Sequence, residues 1–205
     1  MATTSNPATV PAAPPSLRDR ASRAVRTEVA EVAMRLFQEQ GFEKTTVDQI
    51  AAAAGLSRTS FFRYFATKED VVLGHLEELK QKLLEALVAR PEQEPVWRSL
   101  RQAFDVLIED AVALPEHGLA LARMMLDTPS LRYRQLGKQL GWQDVLVPEI
   151  ARRLGVADAA RDARPRALAA AALGCLNAAA DVWTVSDGAL DFPVLLDQAM
   201  NEVSG

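Results

Sequence analysis

Between Gly55 and Lys68 the chain reads GLSRTSFFRYFATK, a stretch in which guanidinium, hydroxyl and aromatic groups recur at helical spacing. A helix started by Ser57, whose hydroxyl can accept from first-turn amides, puts Phe61 and Phe65 on one face and Arg58 and Phe62 on another. The first pair belongs to a core. Arg58, Thr59, Ser60, Phe62 and Arg63 then remain available to a duplex. Other chemistry is sparse: there is no glycine-rich phosphate loop, no HExxH and no cysteine pair. His75 and His117 fall on different expected helices, with no carboxylate at metal-ligand spacing. No catalytic residue, metal or cofactor is expected.

The elements that must position those groups are short and closely capped. Thr46 precedes VDQIAAAA and can cap its first turn, Asp48 suits the positive helix end, and Gly55 closes the segment after two turns. With the tight AGLS turn and the helix after Ser57, this is a helix-turn-helix pattern, although glycine-joined helix pairs also occur in ordinary bundles. Before it, Val25, Val29, Val32, Ala33, Leu36 and Phe37 form an amphipathic stripe that Gly41 ends. Six of the chain's twelve aromatic residues lie between Phe37 and Phe65. A small three-helix module needs side chains of that size because it has little area to bury.

The whole chain has 205 residues, of which 49% are hydrophobic and 24% charged, a balance that excludes a disordered or disulfide-scaffold protein. Alanine occurs 35 times and β-branched residues are sparse, so the fold class is all-α. About nine helices are expected. The fourth runs from Lys68 to about Arg90 and the fifth from about Pro95 to Leu114, with Pro91 and Pro115 as breaks. The sixth covers roughly Glu116 to Leu126. The seventh runs from Pro129 towards Leu154, with Pro148 expected to kink or split it. The last two, about Arg164 to Thr184 and Phe192 to Val203, are capped by Asp162 and Asp191 and separated by the turn signal SDG. Residues 1–16 carry four prolines and read as a flexible tail without the features of a secretory signal. The most apolar stretch, Ala167 to Ala180, has 14 residues, short of the ~20 that cross a bilayer, so no membrane partner is expected. Cys175 is the only cysteine and cannot form an internal disulfide, which makes the cytoplasm the simplest location.

A formal net charge of −4 hides an uneven distribution. Residues 16–64 sum to +2 and residues 80–205 to −3, a gradient that permits a DNA-binding end. The segment RTEVAEVAMRLFQEQGFEKTTVDQIAAAAGLSRTSFFRYFATKEDVV resembles the TetR family of bacterial transcriptional regulators over about 46 residues. The resemblance rests on Leu36-Phe37, Gly41-Phe42, Thr45-Thr46-Val47, Ile50-Ala51, Ala54-Gly55, Ser57, Tyr64-Phe65 and Lys68. It implies a DNA-binding domain over residues 17–66, an effector-binding and dimerisation domain over residues 67–205, and a homodimer that represses until a ligand arrives. By the same resemblance Thr46, Tyr64 and Lys68 match phosphate-contacting positions, and Arg58, Thr59, Ser60 and Phe62 match positions facing the major groove. Arginine can read guanine through two hydrogen bonds, and a threonine methyl or a phenyl ring can touch a thymine methyl. The family often has tyrosine where this chain has Phe62; Arg63 either supplies the phosphate bond lost there or stands as a solvated surface arginine. Arg18, Arg20 and Arg23 either reach an adjacent phosphate or minor groove or solubilise the tail.

Beyond Lys68 the resemblance is one of architecture. The last two helices are the dimer candidates: Ala169 to Ala172, Gly174 and Ala178 to Ala180 allow close approach, and Leu195, Leu196, Ala199 and Met200 add an apolar stripe. The effector pocket is expected among the fourth to eighth helices, where Trp97, Phe104, Met125, Tyr133 and Trp142 are large and adaptable. Asp105, Glu109, Asn177 and Asp181 interrupt apolar helices there. Carboxylates on an aromatic cavity would favour a hydrophobic cation, and an acyl chain or acyl-CoA is the rival class. An enzyme and a DNA-independent helical interaction protein are the alternative classes, the latter distinguished by whether the protein retards duplex DNA.

Overall fold

The computed structural model describes residues 16–113 and 115–204, and among them every regular element is a helix. The order is α1 (Leu17–Gln40), α2 (Val47–Ala53), α3 (Arg58–Tyr64), α4 (Lys68–Leu73), α5 (Leu76–Val88), α6 (Val96–Ala103), α7 (Asp105–Val112), α8 (Pro115–Asp127), α9 (Pro129–Arg153), α10 (Arg164–Val185) and α11 (Phe192–Ser204). Joining α4 to α5 and α6 to α7 across their one- or two-residue breaks gives the nine helices that the sequence predicts. Of the expected tail, residues 1–15 lie outside the described residues.

Both breaks have local causes. At Gly74–His75 the backbone stays helical, but the His75 imidazole Nδ1 lies 3.0 Å from the Val72 carbonyl and Glu77 and Glu78 donate back only three residues. The α-helical ladder is therefore tightened for one turn. At Phe104 the amide is shared between the Leu100 and Arg101 carbonyls while the ring is fully buried, so packing of the ring outranks regularity of the helix. Pro148 does not split α9. It sits on the solvent side, as does Asp144, so the carbonyl whose bond it removes has access to water.

One contiguous core runs the length of the chain. In the head, α1 to α3, it holds Val29, Ala33, Phe37, Phe42, Ile50, Phe61 and Phe65. Valines and a leucine at 71–73 carry it through α4 into the body, where α10 lies between α9 and α11. At 22 residues α10 is by length and composition able to cross a membrane, contrary to the shorter stretch expected; Ala169, Leu173, Leu176 and Trp183 bury one side of it in the bundle. Gly55 and Gly118 are demanded by geometry. Gly55, at φ +67°, turns the chain between α2 and α3, and a Cβ at Gly118 would lie 2.0 Å from the Ala111 carbonyl oxygen, so α8 meets α7 backbone to backbone.

Candidate nucleic-acid interface

Two caps set the pitch of the helix-turn-helix. Thr46 starts α2 with a complete capping box: its hydroxyl accepts from the Gln49 amide at 3.2 Å, and its own amide donates to Gln49 Oε1 at 2.8 Å. Ser57 starts α3 in the same way, its hydroxyl accepting from the Ser60 amide at 3.1 Å. Between them Leu56 donates back to Ala51 at 2.8 Å, closing the turn. The α3 axis is thereby fixed against α2 before any partner arrives.

Around α3 the division between core and surface follows the spacing. Phe61 is fully buried and packs against Phe65 at 5.4 Å and edge-on to Phe62 at 5.6 Å. Phe62 itself is 44% exposed. Arg58, Thr59 and Arg63 are exposed and Ser60 is half-buried, so the five side chains form one outward surface on a rigid aromatic base. The Arg58 guanidinium lies over the Phe62 ring at 5.4 Å, and its Nη1 donates to both oxygens of Asp48 at 2.6 Å. The guanidinium is thus held above the helix by an exposed pair that competing acceptors can open. Arg63 stacks over Tyr64 at 5.6 Å, and the tyrosine is half-buried.

Lys68 is placed differently from a phosphate ligand on an open surface. Its side chain is 17% exposed, and Nζ donates to the carbonyls of Phe42 (2.8 Å), Thr45 (3.2 Å) and Glu43 (3.4 Å), with the Phe42 ring 4.3 Å away. The ammonium therefore ties the start of α4 to the turn that leads into Thr46. Arg18, Arg20 and Arg23 stand exposed on the first turns of α1, not on the tail, and Arg23 pairs with Glu78 at 3.5 Å.

Three positional roles escaped the sequence. Asp48 holds Arg58 across the turn, ten residues away, and Gln49 completes the Thr46 cap. Arg134, from α9, donates to the Thr67 hydroxyl at 3.1 Å and to Asp70 at 3.4 Å, reaching the residue that caps α4. Capping-box spacing was the available signal for Gln49; the other two are tertiary contacts.

The residues expected to line an effector pocket are dispersed. Tyr133 is 80% exposed and Glu109 is exposed, so neither lines an enclosed site. Trp97 donates to the Met200 carbonyl at 3.1 Å and ties α6 to α11; Phe104 is core. Arg101 lies between Asp105, at 2.6 Å, and Asp197. Arg132 grips both oxygens of Asp181 at 2.8 and 2.5 Å, and Asn177 exchanges two hydrogen bonds with Gln139 at 2.8 and 2.7 Å. Two of the three expected carboxylates are thus paired with arginines, which leaves the anionic pocket expected for a cation without its charges. Met125 is half-buried on α8 and Trp142 is 4% exposed on α9. Cys175 is buried, its thiol 3.5 Å from the Ala199 carbonyl, and burial pushes the thiol's titration up.

Residues 29–74 match the family described as "Bacterial regulatory proteins, tetR family", and residues 94–205 match the "MftR C-terminal domain", a likeness beyond Lys68 that the sequence reading lacked. The chain is 35% identical over 162 residues to the HTH-type transcriptional regulator TcmR of Streptomyces glaucescens, covering 76% of this chain and 71% of the relative. It is 31% identical over 159 residues to MftR of Mycobacterium tuberculosis, a regulator named for mycofactocin biosynthesis, covering 76% and 77%. The crystal structure of the repressor FadR of Thermus thermophilus with lauroyl-CoA superposes with a TM-score of 0.59 at 25% identity, over 87% of this chain and 93% of that one. An exposed α3 on a fixed helix-turn-helix, joined to a helical body matched over residues 94–205, places this chain in the TetR family of bacterial transcriptional regulators.

Proposed function

We propose that the chain is a cytoplasmic, dimeric repressor that grips a palindromic operator with two copies of α3 and lets go when a hydrophobic small molecule occupies the body. The division of labour is residues 17–66 for DNA and residues 67–205 for effector and dimer. The carrying observation is the outward surface of α3. There Arg58 and Thr59 read base edges, Ser60 and Phe62 line the groove, and Arg63, Tyr64 and Thr46 hold phosphates. Lys68 acts beneath that surface by holding the turn that presents Thr46.

The second copy docks on α10 and α11. Ala167, Ala170, Gly174, Ala178, Val182 and Val185 all face solvent on one side of α10, an uncovered small and apolar face that a symmetric partner helix can approach closely. Coupling between the body and the head runs through α4, whose capping Thr67 and first-turn Asp70 are bonded to Arg134 of α9. A ligand that moves α9 therefore moves α4 and the spacing of the two α3 helices. A release of ~100-fold requires ~2.7 kcal/mol of differential affinity. The liganded FadR structure supports an apolar effector, since it shows that a neighbour of this fold holds an acyl chain.

The test is a footprint of the purified protein, at controlled salt, on the DNA flanking its own gene and on random duplex. A protected palindrome with two half-sites is expected. Failure to retard any duplex at moderate salt overturns the proposal and favours a DNA-independent interaction protein.

A further inference from the structure

We infer that the effector seats against the inner face of α9 beneath α8, donating a hydrogen bond to Gln135 and accepting one from Trp142. This rests on the reading of the chain as an effector-released repressor. Among the described residues, two buried side-chain atoms have no hydrogen-bond partner, Gln135 Oε1 and Trp142 Nε1. The two residues lie on α9, seven positions apart, hence on one side of the helix with their Cα atoms ~10 Å apart along its axis at ~1.5 Å per residue. A buried polar atom without a partner forgoes its hydrogen bonds to water, so finished cores rarely keep one. Two on one helix face, one an acceptor and one a donor, are what a bound molecule completes. Gln139, between them, shows how α9 closes such a group when no ligand is involved: its amide exchanges both bonds with Asn177.

The covering element gives the second observation. From Gly118 to Leu126 no residue of α8 is fully buried, although Leu119, Leu121, Met124 and Met125 pack against the core. This helix turns directly into α9 at Thr128 and packs on α9 and α10. Its apolar side chains are therefore in contact with the core without being enclosed, as a cover that a small apolar body can lift or slide beneath. Methionine side chains adapt to such a guest. The chemical class follows from the same groups. Asp105 and Asp181 are paired with Arg101 and Arg132, so a cation finds neither available as counter-ion. With the Gln135 and Trp142 side chains closing on one polar group, a neutral, elongated apolar molecule headed by a primary amide supplies the donor and the acceptor that the two orphaned atoms lack.

The test titrates the full chain, by calorimetry, with decanamide and with decyltrimethylammonium, whose alkyl tail is one carbon longer and whose charged head has no N–H donor. Decanamide is expected to bind at least ten-fold more tightly than the ammonium, and Gln135→Met and Trp142→Phe each to weaken it about ten-fold. Because Gln135→Met also removes an unpaired polar atom, it is expected to raise the midpoint of thermal unfolding while it weakens binding. A merely structural glutamine would not move the two in opposite directions. Preference for the ammonium, no binding of either probe, or undiminished amide binding by Gln135→Met overturns the inference. Retardation of duplex DNA by the same preparation is the separate check: its loss overturns the repressor reading, whereas intact retardation with undiminished amide binding by Gln135→Met overturns the effector site alone.

Discussion

On α3, Arg58, Thr59, Phe62 and Arg63 stand in water around a buried aromatic pair, whereas on α9 Gln139, Glu149 and Arg153 turn inward and are closed by named partners. The Arg153 side chain is 0% exposed; it donates to Glu149 at 2.7 Å and to the carbonyls of Leu87, Arg90 and Pro91 at 2.8 to 3.1 Å, where it caps the end of α5. A recognition surface keeps its polar groups in pairs that a base or phosphate can open. A body that must transmit a displacement keeps its polar groups in networks too costly to open, which fixes how its helices move together.

The largest expected effect tests the closed side of that contrast. Arg153→Met leaves Glu149 with Arg152 as its remaining partner and strips the carbonyls of Leu87, Arg90 and Pro91 of their buried donor, so it should lower stability by about 3–5 kcal/mol in urea unfolding. A single-substitution loss under about 1 kcal/mol would make the inward network dispensable. Lys68→Met comes next, because one hydrogen-bonded ammonium holds three carbonyls: a loss of about 1.5–3 kcal/mol is expected, read by hydrogen exchange in α1 to α3. Its salt dependence of DNA binding should stay as in the parent chain; a slope flattened by about one would return Lys68 to the phosphate contacts.

On the open side, Arg58→Ala should weaken the preferred site by about 1–3 kcal/mol and relax sequence preference, with folding stability nearly unchanged. Equal losses on every duplex would remove Arg58 from base reading. The smallest effect at neutral pH concerns Glu94, held by two bonds from Arg90 at 2.8 Å and one from Ser99 at 2.8 Å. These hold its carboxyl down at about 2, against an ordinary 4.5, with the Arg90 bond the main cause. Since the folded value is the lower one, the stabilisation is present above pH 4.5 and is lost as the pH falls towards 2. Unfolding midpoints of Glu94→Gln followed from pH 5 to pH 2 should therefore trace a flatter acid limb than the parent; parallel curves would refute the assignment.

The head was legible because its information is local. Thr46, Ser57 and Gly55 mark caps and a turn at fixed offsets, and the Phe61–Phe65 spacing separates core from surface within one helix. The boundaries of α9, α10 and α11 were legible for the same reason, with Asp191 meeting the Val194 amide at 3.2 Å as a cap should. The breaks at His75 and Phe104 were not, since they arise from a side chain taking a carbonyl and from a ring seeking the core. Nor were the pocket carboxylates. Asp181 reads as an intrusion into an apolar helix, and only the fold brings Arg132, 49 residues away, to neutralise it.

The pairing of Arg58 with Asp48 bears on time as much as on affinity. A guanidinium with a resident acceptor ten residues away has somewhere to return whenever the base edge beneath it is the wrong one. Visits to non-cognate sequence are then brief, because leaving does not strand an unpaired arginine. On the proposed reading, the arginine departs at a matching guanine and Asp48 is left facing a polyanion, so the exchange succeeds only where the new partner outbids the old one by a clear margin. A repressor that works in this way searches quickly and settles selectively, with one carboxylate setting both rates.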